Sequence, residues 1–207
     1  MLELLTGTGL AAAAGLNAYI PLLALGLADK FLDFVTLPAG WAWLSNDWVL
    51  VIIGVLLVIE VVADKIPVVD SINDWIQTII RPAAGGIVFG SGSATETNAI
   101  TDPAAFFDNN NWVPIVLGVA ISLGVHITKM AARPALNAIT FGAAAPVLST
   151  VEDASSVTLT VLAILFPVLV VLALALLVVL FVAIFRRARR KAAERKAVQV
   201  VPPLPTS

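Results

Sequence analysis

From Val157 to Phe185 the chain is an almost unbroken run of Val, Leu, Ala, Ile and Phe, and it stops at Arg186-Arg187-Ala188-Arg189-Arg190-Lys191. An apolar stretch of this length matches a bilayer, and a basic cluster at its end is a stop-transfer pattern whose positive side stays in the cytoplasm. Seven of the twelve Lys/Arg residues fall in the tail beyond Phe185. This feature restricts the chain to a membrane-embedded helical fold.

The rest of the sequence has the same character. Charged residues make up 13% of the chain and mean hydropathy is +0.98, whereas a soluble domain carries about 25% charged residues. With no Cys, the chain has no disulfides, thiolate metal sites or cysteine nucleophiles. The first charge is Glu3 and the apolar run continues to about Leu27, so the N-terminus does not read as a cleaved leader.

Hydrophobic length predicts an all-α, polytopic helix bundle with about six membrane segments, at residues 4–28, 48–63, 72–90, 112–128, 134–148 and 157–185. The third and fifth are short, rich in small residues and led by Arg-Pro, so re-entrant half-helices are an alternative for them. Residues 1–185 form one transmembrane domain, and 186–207 a basic cytoplasmic tail. Six crossings with a cytoplasmic tail place both termini in the cytoplasm. Lys65, Lys129 and Arg133 then lie on the inner side, and only Lys30 lies outside. Trp41, Trp43, Trp48 and Trp112 fall on the outer boundary, where amphipathic rings settle.

An internal repeat is also visible. Trp48-Val49, Gly54-Val55 and Lys65 match Trp112-Val113, Gly118-Val119 and Lys129, and Arg81-Pro82-Ala83 matches Arg133-Pro134-Ala135. The matches predict helical hairpins at 48–90 and 112–148 in the same orientation. Each Pro would open a helix, where its missing N–H needs no partner, with the preceding Arg reaching towards headgroup phosphates. Lys129 and Arg133, with Arg186, Arg187, Arg189 and Arg190 of the tail, are the expected lipid-headgroup contacts.

Polar residues inside apolar stretches are the candidates for function. Glu60 interrupts the second segment, where an ionised carboxylate is costly without a partner or water. Arg81 is its expected partner. Asn17 and Tyr19 in the first segment, His126 in the fourth and Asn137 in the fifth complete a polar interior. Asp64, Asp70 and Asp74 form an acidic group on the cytoplasmic side. They suit either a divalent cation, which favours oxygen ligands, or helix capping, hydration and pairing with Lys or Arg. Ile72, Trp75, Ile76 and Ile79 share one side of the intervening segment and predict an amphipathic helix on the inner interface.

No catalytic constellation is complete. His126 is the only histidine and lies far from the Gly90-Ser91-Gly92 string, which excludes a Ser–His pair. A phosphate-cradling glycine loop and a His-Glu-x-x-His zinc motif are both missing. The chain is expected to be non-enzymatic, to need no cofactor and to bind no nucleic acid.

Gly15-Leu16-Asn17-Ala18-Tyr19-Ile20-Pro21, Ala63-Asp64-Lys65-Ile66-Pro67 and Arg81-Pro82-Ala83-Ala84-Gly85 together resemble a bacterial family of multi-pass membrane proteins, domain of unknown function 4126. The resemblance implies a bacterial integral membrane protein and supplies no catalytic residues. The expected location is the bacterial inner membrane, among membrane lipids. The leading function is transport or channelling of a small solute, ion or lipid; the alternative is a non-transporting scaffold or assembly factor.

Overall fold

The computed structural model of the chain describes residues 2–93, 112–140 and 145–199. Every regular element among them is helical: α1 (Leu2–Leu16), α2 (Tyr19–Phe31), a 3₁₀ helix (Ala39–Ser45), α3 (Asp47–Ala63), α4 (Pro67–Ser93), α5 (Trp112–Thr140), α6 (Ala145–Leu165) and α7 (Pro167–Gln199). Among the described residues two stretches, Trp112–Arg133 and Pro146–Leu165, are long and apolar enough to cross a membrane. The 3₁₀ helix and α3, bent by 62° at their junction, make a third if taken as one span.

Contacts fix the helix directions. Gly7 faces Phe89 while the Gly15 carbonyl accepts from Arg81, so α1 and α4 are antiparallel. Gly118 packs on Gly85, and Arg133 meets Asp74, so α5 runs antiparallel to α4. Ser156 donates to the Ala13 carbonyl and Gly9 meets Ala163, which makes α6 antiparallel to α1. Gly9 also meets Val170, and Ala173, Leu174 and Leu177 pack against the cluster around Ala12 and Ala13, so α7 returns parallel to α1. α1 is the central helix, with Leu10, the four alanines after it and Gly15 all buried. Small side chains allow this crowding: a Cβ on Gly118 would lie 2.2 Å from the Gly85 carbonyl oxygen.

Several expected segments are divided or fused. The run 4–28 is not one span. It breaks at Asn17, whose Oδ1 accepts from the backbone N–H of Tyr19 (3.1 Å) and Ile20 (3.3 Å). This satisfies two donors at the start of α2. Pro21, in that first turn, has no N–H to offer the preceding turn. Gly26 then meets Leu44 and Leu50, and Lys30 pairs with Asp47, so α2 doubles back beside α3. The run 157–185 is broken as well. Pro167 has no N–H to continue the ladder, and the chain reverses between α6 and α7.

Pro82 and Pro134, expected to open helices, lie inside them instead. α4 runs from Pro67 through Pro82, so the interfacial segment and the third span are one helix. Ile72, Trp75, Ile76 and Ile79 form its exposed apolar stripe. Residues 112–128 and the start of 134–148 fuse into α5. The second repeat copy is therefore a single helix through Lys129 and Arg133, where the first copy turns between α3 and α4 at Lys65. The sequence match does not extend to a common hairpin. Interior prolines persist because packed neighbours in a bundle meet the backbone groups that they leave.

The parallel run of α1 and α7 places the start of α1 and the basic end of α7 at opposite ends of the bundle, contrary to the expected shared side. The Asn17 break, the α3–α4 turn, the second half of α5 and the start of α6 gather at the end from which the basic tail departs.

Candidate functional site: a buried ion-pair network

At this end the helices enclose a set of charges that no single stretch of sequence displays. Glu60 lies on the inward face of α3, while Val51, Ile52, Val55, Val58, Ile59 and Val62 point outward. Helical spacing carries Asp64 one turn on from Glu60 along that face. α4 supplies Asp74 and Arg81, α5 supplies Lys129 and Arg133 one turn apart, and α6 supplies Glu152.

Arg81, with a relative exposure of 0%, is the hub. Its Nη2 lies 2.9 Å from Glu60 Oε1 and 3.5 Å from Asp64 Oδ2. Its Nη1 donates to the Gly15 carbonyl at 3.5 Å and to His126 Nδ1 at 3.3 Å. The Thr78 hydroxyl donates to the Asp74 carbonyl and so receives its 3.1 Å hydrogen bond from His126 Nε2. These two partners select the Nε2–H tautomer of the imidazole. Ser122 Oγ donates to the Arg81 carbonyl at 2.7 Å.

Lys129 Nζ sits 2.8 Å from Glu152, 3.4 Å from Asp64 and 4.0 Å from Asp74. Arg133 reaches Glu152 at 2.5 Å, Asp74 at 3.4 Å and Asp64 at 3.5 Å. Asn73 Nδ2 donates to Asp64 Oδ1 at 2.7 Å. Beside the network, Asn17 Nδ2 donates to Asp153 Oδ1 at 3.0 Å, and Lys65 lies 3.9 Å from Asp153 Oδ2. Tyr19 lies near Gln77, Glu60 and Arg81. In so dry a setting single ions are expensive, and each of Arg81, Lys129 and Arg133 is held by several carboxylates.

The expected polar interior of Asn17, Tyr19, Glu60, Arg81 and His126 thus converges on one region, and the Glu60–Arg81 pair forms. The side chains of Asp70, Asn137 and Arg189 lie outside the described residues. Lys129 and Arg133 are not at lipid headgroups: both are buried among carboxylates, because their helix face points into the bundle. Arg81 does not reach outward either, for the same reason. Asp64 and Asp74 are engaged by Lys129 and Arg133. Among the described residues no group of three or more His, Asp or Glu side chains is placed to hold a metal ion. Arg186, Arg187 and Arg190 are exposed, beside a groove of about 420 Å³ that begins at Val178.

The sequence reading missed Glu152, Asp153 and Gln77. The signal for the first two was an acidic pair between Val151 and Val157 in an apolar stretch. Gln77 carried no such signal until α4 was seen as one helix, on which it lies one turn before Arg81.

An all-helical bundle with apolar, membrane-length helices around a buried ionic core defines a membrane-type helical protein. Residues 4–187 match the family described as Domain of unknown function (DUF4126), and the chain belongs to it. No curated protein and no solved structure matches the chain.

Proposed function

We propose that this chain is a multi-pass protein of the bacterial inner membrane that moves a small ion or solute through its helix bundle, with the buried network as the moving part. One observation carries this reading. Each of Arg81, Lys129 and Arg133 is shared by two or more carboxylates, and those around Lys129 and Arg133 come from different helices: Asp64 at the end of α3, Asp74 of α4 and Glu152 of α6. A shared set of charges can exchange partners without exposing a bare ion, which is what a two-state element needs. Buried ionisable groups within membrane segments mark such pathways. The outward face of α3 is uniformly apolar, as hydrocarbon surroundings allow.

The basic tail sets the orientation by the positive-inside rule. The network lies towards the cytoplasmic side, and the start of α1, Lys30 and Trp41 lie towards the outside. With α1 and α7 parallel, the chain begins outside and ends inside. Seven crossings satisfy this, as do five with α1 and α2 forming a re-entrant pair.

A scaffold or assembly factor is the second reading, favoured by the close packing of Gly85 on Gly118. Flux of H⁺, Na⁺ and K⁺ in proteoliposomes separates the two. Transport predicts flux in the wild type and its loss in Glu60→Gln with the fold retained. A wild type silent towards all three ions and towards a panel of small solutes would leave the scaffold.

A further inference from the structure

The network is not balanced. Among the described residues, four carboxylates (Glu60, Asp64, Asp74 and Glu152) face three cations (Arg81, Lys129 and Arg133). The adjoining Lys65–Asp153 pair is neutral and leaves the excess unchanged. Among the described residues one negative charge therefore exceeds the cations, where desolvated ions are costly.

The excess coincides with unmatched atoms. Glu60 is 2% exposed, and its Oε1 is taken by Arg81 while Oε2 has no hydrogen-bond partner among the described residues. Gln77 is also 2% exposed, and its Oε1 has no partner among the described residues. Both atoms are acceptors, so neither can satisfy the other; the unmatched donor beside Glu60, Arg81 Nε, belongs to the guanidinium already counted against it. They belong to one locality: Arg81, a turn from Gln77 on α4, holds Glu60, and Tyr19 lies near both Gln77 and Glu60. Two orphaned acceptors beside one surplus negative charge suit a cation.

We infer that Glu60 Oε2 and Gln77 Oε1 form a site for one exchangeable monovalent cation, H⁺ or Na⁺, that completes the charge of the network. As a proton it would sit on Glu60 and supply the missing donor. As Na⁺ it would be held by the carboxylate and amide oxygens, with Tyr19 Oη at hand. A divalent ion would overcompensate a single negative charge. The groups that face this position are Tyr19 on α2, Asp64 on α3, Arg81 on α4, and Lys129 on α5, with His126 of α5 behind Arg81. The inference deepens the transport reading but needs no flux to be tested.

The full chain, purified in detergent, is melted in Na⁺ and in N-methylglucamine at constant ionic strength. Infrared spectra of the same samples follow the protonated-carboxyl band. A Na⁺ site gives a saturable rise in melting temperature with Na⁺. Gln77→Met should shift its midpoint roughly tenfold, the scale of one lost polar contact, and Glu60→Gln should abolish it. A proton site gives no Na⁺ response; instead the wild type shows a protonated-carboxyl band that disappears in Glu60→Gln and moves in Gln77→Met. If Glu60→Gln does not fold, Gln77→Met decides by the same readouts. A wild type with neither response overturns the inference, as does a response that Gln77→Met leaves unchanged. Binding without flux would retain this site and remove the transport reading; flux without either response would do the reverse.

Discussion

Arg81→Met tests the energetic centre of the bundle. The substitution keeps an unbranched side chain and removes the charge. It strips Glu60 of its 2.9 Å partner and Asp64 of one of its three cations, and it removes a donor from the Gly15 carbonyl and from His126. Removing one member of a buried pair costs about 3–5 kcal/mol, because the other charge stays buried and uncompensated. Arg81 is wholly buried, so solvent cannot soften that loss. At about 2–4 °C per kcal/mol for a chain of this size, the melting temperature should fall by roughly 6–20 °C. Thermal unfolding in detergent, followed by circular dichroism, measures it. The double variant Glu60→Met/Arg81→Met should recover most of the loss, since Asp64 keeps Lys129 and Arg133 and an apolar pair replaces the ionic one. A single variant within about 1 kcal/mol of wild type, or a double variant no more stable than the single, would refute the claim that Arg81 compensates Glu60.

Gly118→Ala should destabilise by about 1–3 kcal/mol, because its Cβ would lie 2.2 Å from the Gly85 carbonyl oxygen. Gly54→Ala, with nothing within 4 Å of the new Cβ, should gain up to about 1 kcal/mol of helix propensity; the same melts compare the two, and equal effects would contradict the packing. Asn17→Ala should cost about 1–2 kcal/mol through loss of the α2 cap and of the bond to Asp153, whereas Asn17→Asp should restore the cap but not that bond. The chain has no cysteine, so single cysteines report orientation directly. One at Glu3 should react with an impermeant maleimide in intact cells and one at Glu194 only after permeabilisation; labelling of both from the same side would reverse the proposed topology.

The sequence by itself determined the helical class, the apolar surroundings and the identity of most of the unusual polar residues. Backbone groups in hydrocarbon must bond within the segment, and a lone Glu60 among Val and Ile is visible as an expense wherever it ends up. The pairing of Glu60 with Arg81 was legible too, because an embedded charge seeks its opposite and Arg81 was near in sequence. Tertiary structure alone decided where the helices break and which way they run. Hydrophobic length measures how well a stretch suits a membrane, not whether Asn17 or Pro167 reverses it. Nor does a proline announce its role: Pro82 and Pro134 lie inside α4 and α5. Lys129 and Arg133 looked like headgroup contacts, since a basic residue near a span end reads the same whichever way it faces. Their inward direction, and their meeting with Glu152 on α6, follow from how α4, α5 and α6 cross. Small residues such as Gly85 and Gly118 set that crossing by letting the backbones touch.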